Sequence, residues 1–519
     1  MRNPFELTNR IWGIGMRLHS KGIELRPWIT FTLVLAFWGC NSQSSGAAVT
    51  VALKEVVPSV VQATAPSSPV VGGVSVTEYG ALCDGVHDDT AAFIAALNTG
   101  NGYYTVTIPQ STAGGCRVTH SIVVTTSNSN APSLVGDSSN QSAILADFSA
   151  WTGSDQAVID IVSTGPVTTV WGIHNRRFGN FSLRTENVSS QAPIGMNIRT
   201  TASVASTEVD GYMPLYDATI DNIMFTGLST AVSISEGYNL HLLSLRGIND
   251  LNGINIAGQV IQIVVDSCTF GVTTDSAGVG TGIMVTSKNY TDQAAAPQAV
   301  HIVNGSAFVD FNVDADIEAG MFVTIDHSVL DQPYSYALRV NNPDDLHVTN
   351  NYIYVKNYNE SAILVLGLPA NTGVTGGIPI NTDGLWIEDN RIAGAALGLQ
   401  DGIAFVAGSG PPRRQVHIER NRFQDLVNPM LFITVPNFSD IRSNHGAINT
   451  GPLIQFDPSG SSVGVGTVVD GNSTSDAEPA FVYGTVAPSL LAGYNYSPLG
   501  ASPQTHPAGS AAVVRSQSF

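Results

Sequence analysis

From residue 74 onward the chain reads as short apolar–polar–apolar runs separated by breaks rich in glycine, asparagine, serine and threonine. One run type ends in a turn residue followed by another hydrophobic. It recurs as Ala218-Thr-Ile-Asp-Asn-Ile-Met-Phe225, Gln262-Ile-Val-Val-Asp-Ser-Cys-Thr-Phe270 and Leu346-His-Val-Thr-Asn-Asn-Tyr-Ile353, and again in Leu385–Ile392 and Val416–Phe423. Aligning Asn222, Ser267, Asn351, Asn390, Asn421, Asn444 and Asn472 gives coils roughly 22 to 39 residues long once missing rungs are allowed for. Variable repeats around fixed strand cores predict one elongated all-β solenoid, a parallel β-helix whose insertions become loops on one side. Asparagine suits the turn because it tolerates the left-handed conformation.

Each coil carries a second strand of the form x-Gly/Ala-apolar-x-apolar. Examples are Asn252-Gly-Ile-Asn-Ile256, Thr281-Gly-Ile-Met-Val285, Tyr336-Ala-Leu-Arg-Val340, Ser361-Ala-Ile-Leu-Val365 and Asp401-Gly-Ile-Ala-Phe405. Stacked, these form a column with coils about 4.8 Å apart and outward side chains about 6.6 Å apart along each strand, spacings that suit two carboxylates flanking a glycosidic bond.

A third pattern stands at the N-terminal edge. Val76-Thr-Glu-Tyr-Gly-Ala-Leu-Cys-Asp-Gly-Val-His-Asp-Asp-Thr-Ala-Ala-Phe-Ile-Ala-Ala-Leu97 reads as a strand, a glycine turn and a short helix. Asp88, Asp89 and Thr90 offer its capping oxygens, and Phe93, Ile94 and Leu97 its apolar face. This segment, with Val106-Thr-Ile-Pro109 and Cys116-Arg-Val-Thr119 after it, closely resembles the opening of the pectate-lyase-superfamily right-handed parallel β-helices. The resemblance implies a single-stranded, right-handed solenoid whose N-terminal end this unit caps. It also implies a structural role for Asp84, Asp88 and Asp89, and a substrate groove beside the second strand column.

Before the solenoid, Arg2, Arg10, Arg17, Lys21 and Arg26 precede an apolar run from Pro27 to Gly39, too short to span a bilayer comfortably. Gly39-Cys40 and the polar residues after it resemble a bacterial lipoprotein signal. The expected organisation is a signal and lipid anchor over 1–40 with Cys40 acylated, a linker over 41–73, the β-helix over 74–500 and a tail over 501–519. Ordinary cleavage or an uncleaved anchor is the alternative. The expected location is the cell envelope or the exterior, with the membrane as a partner through the anchor.

Charge narrows the function. The chain has 22 basic and 41 acidic residues, a net charge of −19, and only four lysines. No dense basic stripe exists to meet phosphates, which excludes an ordinary nucleic-acid binder. No CxxC or histidine-rich cluster marks a metal site, and no metal or cofactor is expected for a hydrolase. Cys83 and Cys116 flank the N-terminal unit, and export would permit a disulfide between them; two buried thiols are the alternative. Cys268 sits in a strand-like run and reads as a small core residue.

Candidate chemistry concentrates in Val309-Asp-Phe-Asn-Val-Asp-Ala-Asp-Ile-Glu-Ala319. Asp310, Asn312, Asp314, Asp316 and Glu318 share one parity and Phe311, Val313, Ala315, Ile317 and Ala319 the other. As a strand this would line up the acids outside, where crowded carboxylates raise one another's pKa and can split acid and base roles. Asp316 and Glu318 are the first catalytic candidates and Arg339, Tyr336 and Asp314 substrate contacts, with Arg339 expected beside Glu318 from the next coil. The bland reading is a solvated face or a Ca²⁺ site.

A further resemblance, to polygalacturonases, offers Asp401 as the residue matching their Asp-Asp strand, with Glu360 as its neighbour. Asn381-Thr-Asp-Gly384 matches their first motif literally but falls in a loop, and their histidine and Arg-Ile-Lys motifs have no counterpart here. Arg176-Arg177 and Arg413-Arg414 are expected on surface loops, where they could meet an anionic sugar. The reading is an exported glycosidase acting on a polysaccharide. The alternatives are a polysaccharide lyase, for which Ca²⁺ would be the cofactor, and a non-catalytic carbohydrate-binding or structural β-helix. Oligomeric state is not legible.

Overall fold

A computed structural model describes residues 73–514 apart from 99–104, 113, 126–131, 154, 164–172, 187–192, 202–213, 273–278, 288–295, 357–360, 369–382, 396–399, 409–411, 457–464, 476–480, 484–489, 494, 498–503 and 506–512. The signal-like segment, Cys40 and all but the last residue of the linker therefore lie outside the described residues. So do Glu360 and the first two residues of Asn381-Thr-Asp-Gly384.

The described chain winds as a right-handed parallel β-helix with three strand columns and a short cap. The first column is the one of the x-Gly/Ala-apolar-x-apolar strands. Its core-facing residues stack coil upon coil as Ile159, Met196, Val232, Ile254, Ile283, Ala315, Leu338, Ile363, Ile403, Met430 and Ile454. The second column runs through Thr219, His241, Val264, His301, Thr324, His347, Trp386 and His417. The third carries an aromatic stack inside, with Phe225, Phe270 and Phe308 all fully buried. Four strands run from the first column to the second without a break: Thr230–Leu243, Asn252–Asp266, Val313–Asp326 and Tyr336–Thr349. They bend at residues with positive φ, Asn239, Gln262, Phe322 and Asp345. Strand pairing continues through Gln504–Thr505 and Val513–Val514.

The corner between second and third columns is tight from Gly179–Ser182 onward, and its asparagines do more than the sequence suggests. Positive φ falls on Asn222 and Ser267, as expected, but in later coils on Asn350, Asp389, Arg420, Ser443 and Gly471, one residue before the aligned asparagine. Asn351, Asn390, Asn421, Asn444 and Asn472 instead point inward and are buried. Asn351 Oδ1 accepts the Ser328 N–H at 2.8 Å, and from Asn390 onward each Oδ1 accepts the backbone N–H and the Nδ2–H of the asparagine one coil earlier, as Asn421 does from Asn390 at 3.0 Å each. Each Nδ2 also donates to a core carbonyl, Asn421 to Ile387 at 2.7 Å. A buried amide stack of this kind is satisfied only because every coil supplies the next partner.

The cap forms as a helix over Thr90–Asn98. Asp88 Oδ1 accepts the Thr90 N–H, whereas the Asp89 carboxylate turns back to the N–H groups of Leu82 (2.7 Å) and Cys83 (3.1 Å). Phe93 and Leu97 are buried; Ile94 is exposed, and Ala92 and Ala96 complete the inner face instead. Cys83 and Cys116 are joined by a disulfide, and Cys268 is a buried free thiol.

Candidate functional site

Insertions are not spread evenly around the solenoid. The long connections leave the first column toward the second (164–172, 202–213, 369–382) or enter it from the third (187–192, 273–278), while the remaining corner is tight from Gly179–Ser182 onward. Along the chain, the longest stretches between strands thus precede or follow strands of the first column. Its outward row reads Asp160, Asn197, Ser233, Asn255, Met284, Asp316 and Arg339, then Leu364, Ala404 and Leu431. The row is polar, with Met284 as its exception, as far as Arg339 and apolar over the next three coils, before Gln455. At about 4.8 Å per coil the polar part is roughly 29 Å long.

Two arginine–carboxylate brackets anchor this row. At one end Arg199 Nε and Nη2 donate to the two oxygens of Asp160 at 3.0 and 2.7 Å, and Asn197 adds a third bond at 3.1 Å. Beside them buried Glu236 accepts the Thr200 N–H at 2.9 Å and the Ser235 hydroxyl. At the other end Arg339 Nε donates to Asp316 Oδ1 at 2.9 Å and Nη2 to Oδ2, and Nη2 also lies 3.4 Å from Glu318 Oε1. Thr286 donates its hydroxyl to Glu318 Oε2 at 2.8 Å.

Several sequence expectations change here. The strand begins at Val313, so Asp310, at positive φ, and Asn312 belong to the corner before it. Asp314 is fully buried instead of lining the outer face. Its row is held elsewhere by small residues such as Gly253, Gly282 and Gly402, and a Cβ added at Gly253 or Gly282 would meet the Phe270 or Phe308 side chain. Parity fails at this position because the corner's aromatic packing covers the side that a straight strand would leave open. Burial, with Asp331 and Asp310 nearby, pushes the Asp314 carboxyl well above its ordinary value.

Arg339 faces Asp316 directly and reaches Glu318 only diagonally. Asp316 has no exposed side-chain surface, against 18 % for Glu318 and 34 % for Arg339. Burial raises the Asp316 pKa against the pull of the guanidinium.

Asp401 pairs in register with Ser361 and Asn428, accepts the Asn428 amide at 2.8 Å, and is raised in pKa by burial. It lies three coils beyond the Asp316 strand, about 14 Å away, so the two candidates do not converge. Tyr336 is partly exposed at the start of the Arg339 strand, opposite Val313. Asp383 opens a strand of the second column, away from this face.

Of the expected surface arginines, Arg177 pairs with Asp221 at 2.7 and 2.8 Å. Arg413 is buried, donating to the carbonyls of Leu366 (2.9 Å) and Asn341, and burial lowers its pKa to about 10.

The Asp160 bracket escaped sequence reasoning. Its signal was an aspartate set inside the otherwise apolar run Ala157-Val-Ile-Asp-Ile-Val162.

A mutant tailspike protein of E. coli bacteriophage HK620, solved with a pentasaccharide, superposes with a TM-score of 0.53 at 12 % identity, covering 83 % of this chain and 80 % of that one. PfbA, a surface adhesin of Streptococcus pneumoniae, gives a TM-score of 0.50 at 12 % identity over 74 % of this chain and 92 % of its own. The chain has the right-handed parallel β-helix fold. The A-module of the Azotobacter vinelandii mannuronan C-5 epimerase AlgE6 is also similar, at TM-score 0.42 and 17 % identity, covering 76 % of this chain and 99 % of that one. No protein-family model and no curated protein sequence matches the chain. At these identities the likeness concerns the β-helix itself, and function has to be argued from the site.

Proposed function

We propose that this β-helix is an exported protein that binds a polysaccharide along the polar half of its first face and hydrolyses it at the Asp316–Arg339–Glu318 bracket. The observation that carries the reading is the outward row from Asp160 to Arg339, closed at each end by an arginine–carboxylate bracket. A tailspike of the same fold was solved with a pentasaccharide, which supports a sugar polymer as the occupant. Glu318 is the exposed carboxylate of the bracket and the group placed to protonate a glycosidic oxygen. A substrate group that draws Arg339 away would free Asp316 as the second carboxylate. Outward neighbours on a strand are about 6.6 Å apart, near the separation of inverting glycosidases. Tyr336 would flank the bound chain, and Asp314 is too deeply buried to touch it. The Cys83–Cys116 disulfide supports an oxidising compartment, and export with acylation of Cys40 fits that location.

The burial of Asp316 behind Arg339 favours one second reading, in which the bracket holds sugar without cleaving it. The test is a screen of the full chain on acidic and neutral polysaccharides, with and without Ca²⁺. Reducing ends and the ultraviolet absorbance of unsaturated sugars would be read together. Reducing ends alone, abolished in Glu318→Gln, support hydrolysis. Both signals identify a lyase, and binding without either identifies the non-catalytic reading.

A further inference from the structure

The second column presents a different constellation. His347, Trp386, His417 and Asp440 follow one another directly across four successive strands. The rings stack almost parallel, His347 on Trp386 at 4.3 Å and Trp386 on His417 at 5.4 Å, which fixes the plane of the His417 imidazole. Its Nδ1 lies 3.4 Å from Asp440 Oδ2, and Glu419, two residues along the same strand, points to the same side. One donor atom each from His417, Glu419 and Asp440 falls within 4.8 Å of the others, and all three side chains are partly exposed.

We propose that His417, Glu419 and Asp440 form a binding site for a divalent transition-metal ion, Zn²⁺ or Mn²⁺. The donors of one ion bound at about 2.0–2.2 Å stand roughly 3.4 Å apart, so small side-chain rotations close the present spread. An imidazole with two carboxylates and no thiolate selects zinc or manganese over calcium on one side and over soft-metal sites on the other.

The surroundings fit the same role. Arg442 binds Asp440 Oδ1 at 2.7 Å, leaving Oδ2 toward the imidazole. Arg420 takes Glu419 Oε2 at 2.8 Å, so each carboxylate is held by a guanidinium through one oxygen while the other is available to an ion. Such outer partners orient metal ligands. Four carboxylates (Glu388, Asp389, Glu419, Asp440) touch these two arginines, an excess of two negative charges that a divalent ion neutralises. The site is on another face from the polysaccharide row and stands whether or not that reading holds.

Calorimetric titration of chelator-treated full chain with Zn²⁺, and Mn²⁺ titration followed by electron paramagnetic resonance, test the proposal. One ion per chain is expected, with affinity falling at least tenfold in His417→Ala and in Asp440→Asn and unchanged in Glu318→Gln. Long-range ¹⁵N spectra of the unmutated protein should show the His417 ring nitrogens moving on Zn²⁺ addition, a readout independent of whether a variant folds. Absence of stoichiometric uptake, uptake that survives His417→Ala, or ring nitrogens that stay in place would each overturn it.

Discussion

Asp316 and Arg339 face each other across adjacent coils of the first column, joined through both carboxylate oxygens, and Asp316 has no surface of its own in contact with solvent. Among the described residues, the Arg339 guanidinium is the charge that lowers the pKa of a carboxylate otherwise raised by burial. Removing one partner of such a pair leaves a buried charge uncompensated, which costs about 3–5 kcal/mol. Arg339→Ala is expected at the lower end of that range, because the arginine is itself a third exposed. Asp316→Asn with Arg339→Ala should recover much of the loss. Thermal unfolding of the two single variants and the double variant checks this. Additive losses would mean that the pair is not coupled.

Asp250 makes stability depend on pH in an unusual direction. One oxygen accepts the Leu228 N–H at 2.8 Å, the other has no hydrogen-bond partner among the described residues, and burial pushes the carboxyl up to about 8. A raised folded pKa means that the folded chain holds a proton the unfolded chain has released. The stabilisation is complete below about pH 4 and is lost as pH rises toward 8, with a slope approaching about 1.4 kcal/mol per pH unit. Asp314 acts in the same sense. Asp250→Asn should flatten the decline between pH 5 and pH 8, measured as the midpoint of urea unfolding. An unchanged slope would show that Asp250 does not titrate there.

The amide stack should be most sensitive in its middle. Asn421→Ala removes the acceptor for the backbone N–H and the side-chain amide of Asn390 and a donor to Asn444. Stranded buried polar groups cost about 1–3 kcal/mol each. A clear drop in Tm is expected, larger than for Asn495→Ala at the last described member, which accepts the same two bonds from Asn472 but is partly exposed and, among the described residues, has no further asparagine to donate to. Equal drops at both positions would argue against cooperative stacking.

The Cys83–Cys116 bridge closes a segment with a sequence separation of 33. Loop-closure entropy for that length gives about 3–4 kcal/mol. Cys116→Ser should loosen the cap, seen as faster proteolysis within 74–118, while the central coils keep their protection against hydrogen exchange. Protection lost along the whole solenoid would show instead that the cap and coils unfold as one unit.

Much of the architecture follows from the sequence because its causes are local. Alternation in Val416-His-Ile-Glu places Val416 and Ile418 inside and His417 and Glu419 outside whatever the rest of the chain does, and the structure agrees. The cap segment and the strand columns were legible for the same reason. What the sequence could not supply was which outward positions are covered and which residues meet across coils. Asp314 and Asp316 share a parity with Glu318, yet corner packing buries the first and Arg339, 23 residues away in the chain, closes over the second. The Asp160–Arg199 bracket and the His417–Glu419–Asp440 cluster likewise join residues from different coils. Alternation is a property of one strand and is written in neighbouring residues. Register between coils depends on the length of every insertion between them, and only the folded solenoid sums those lengths.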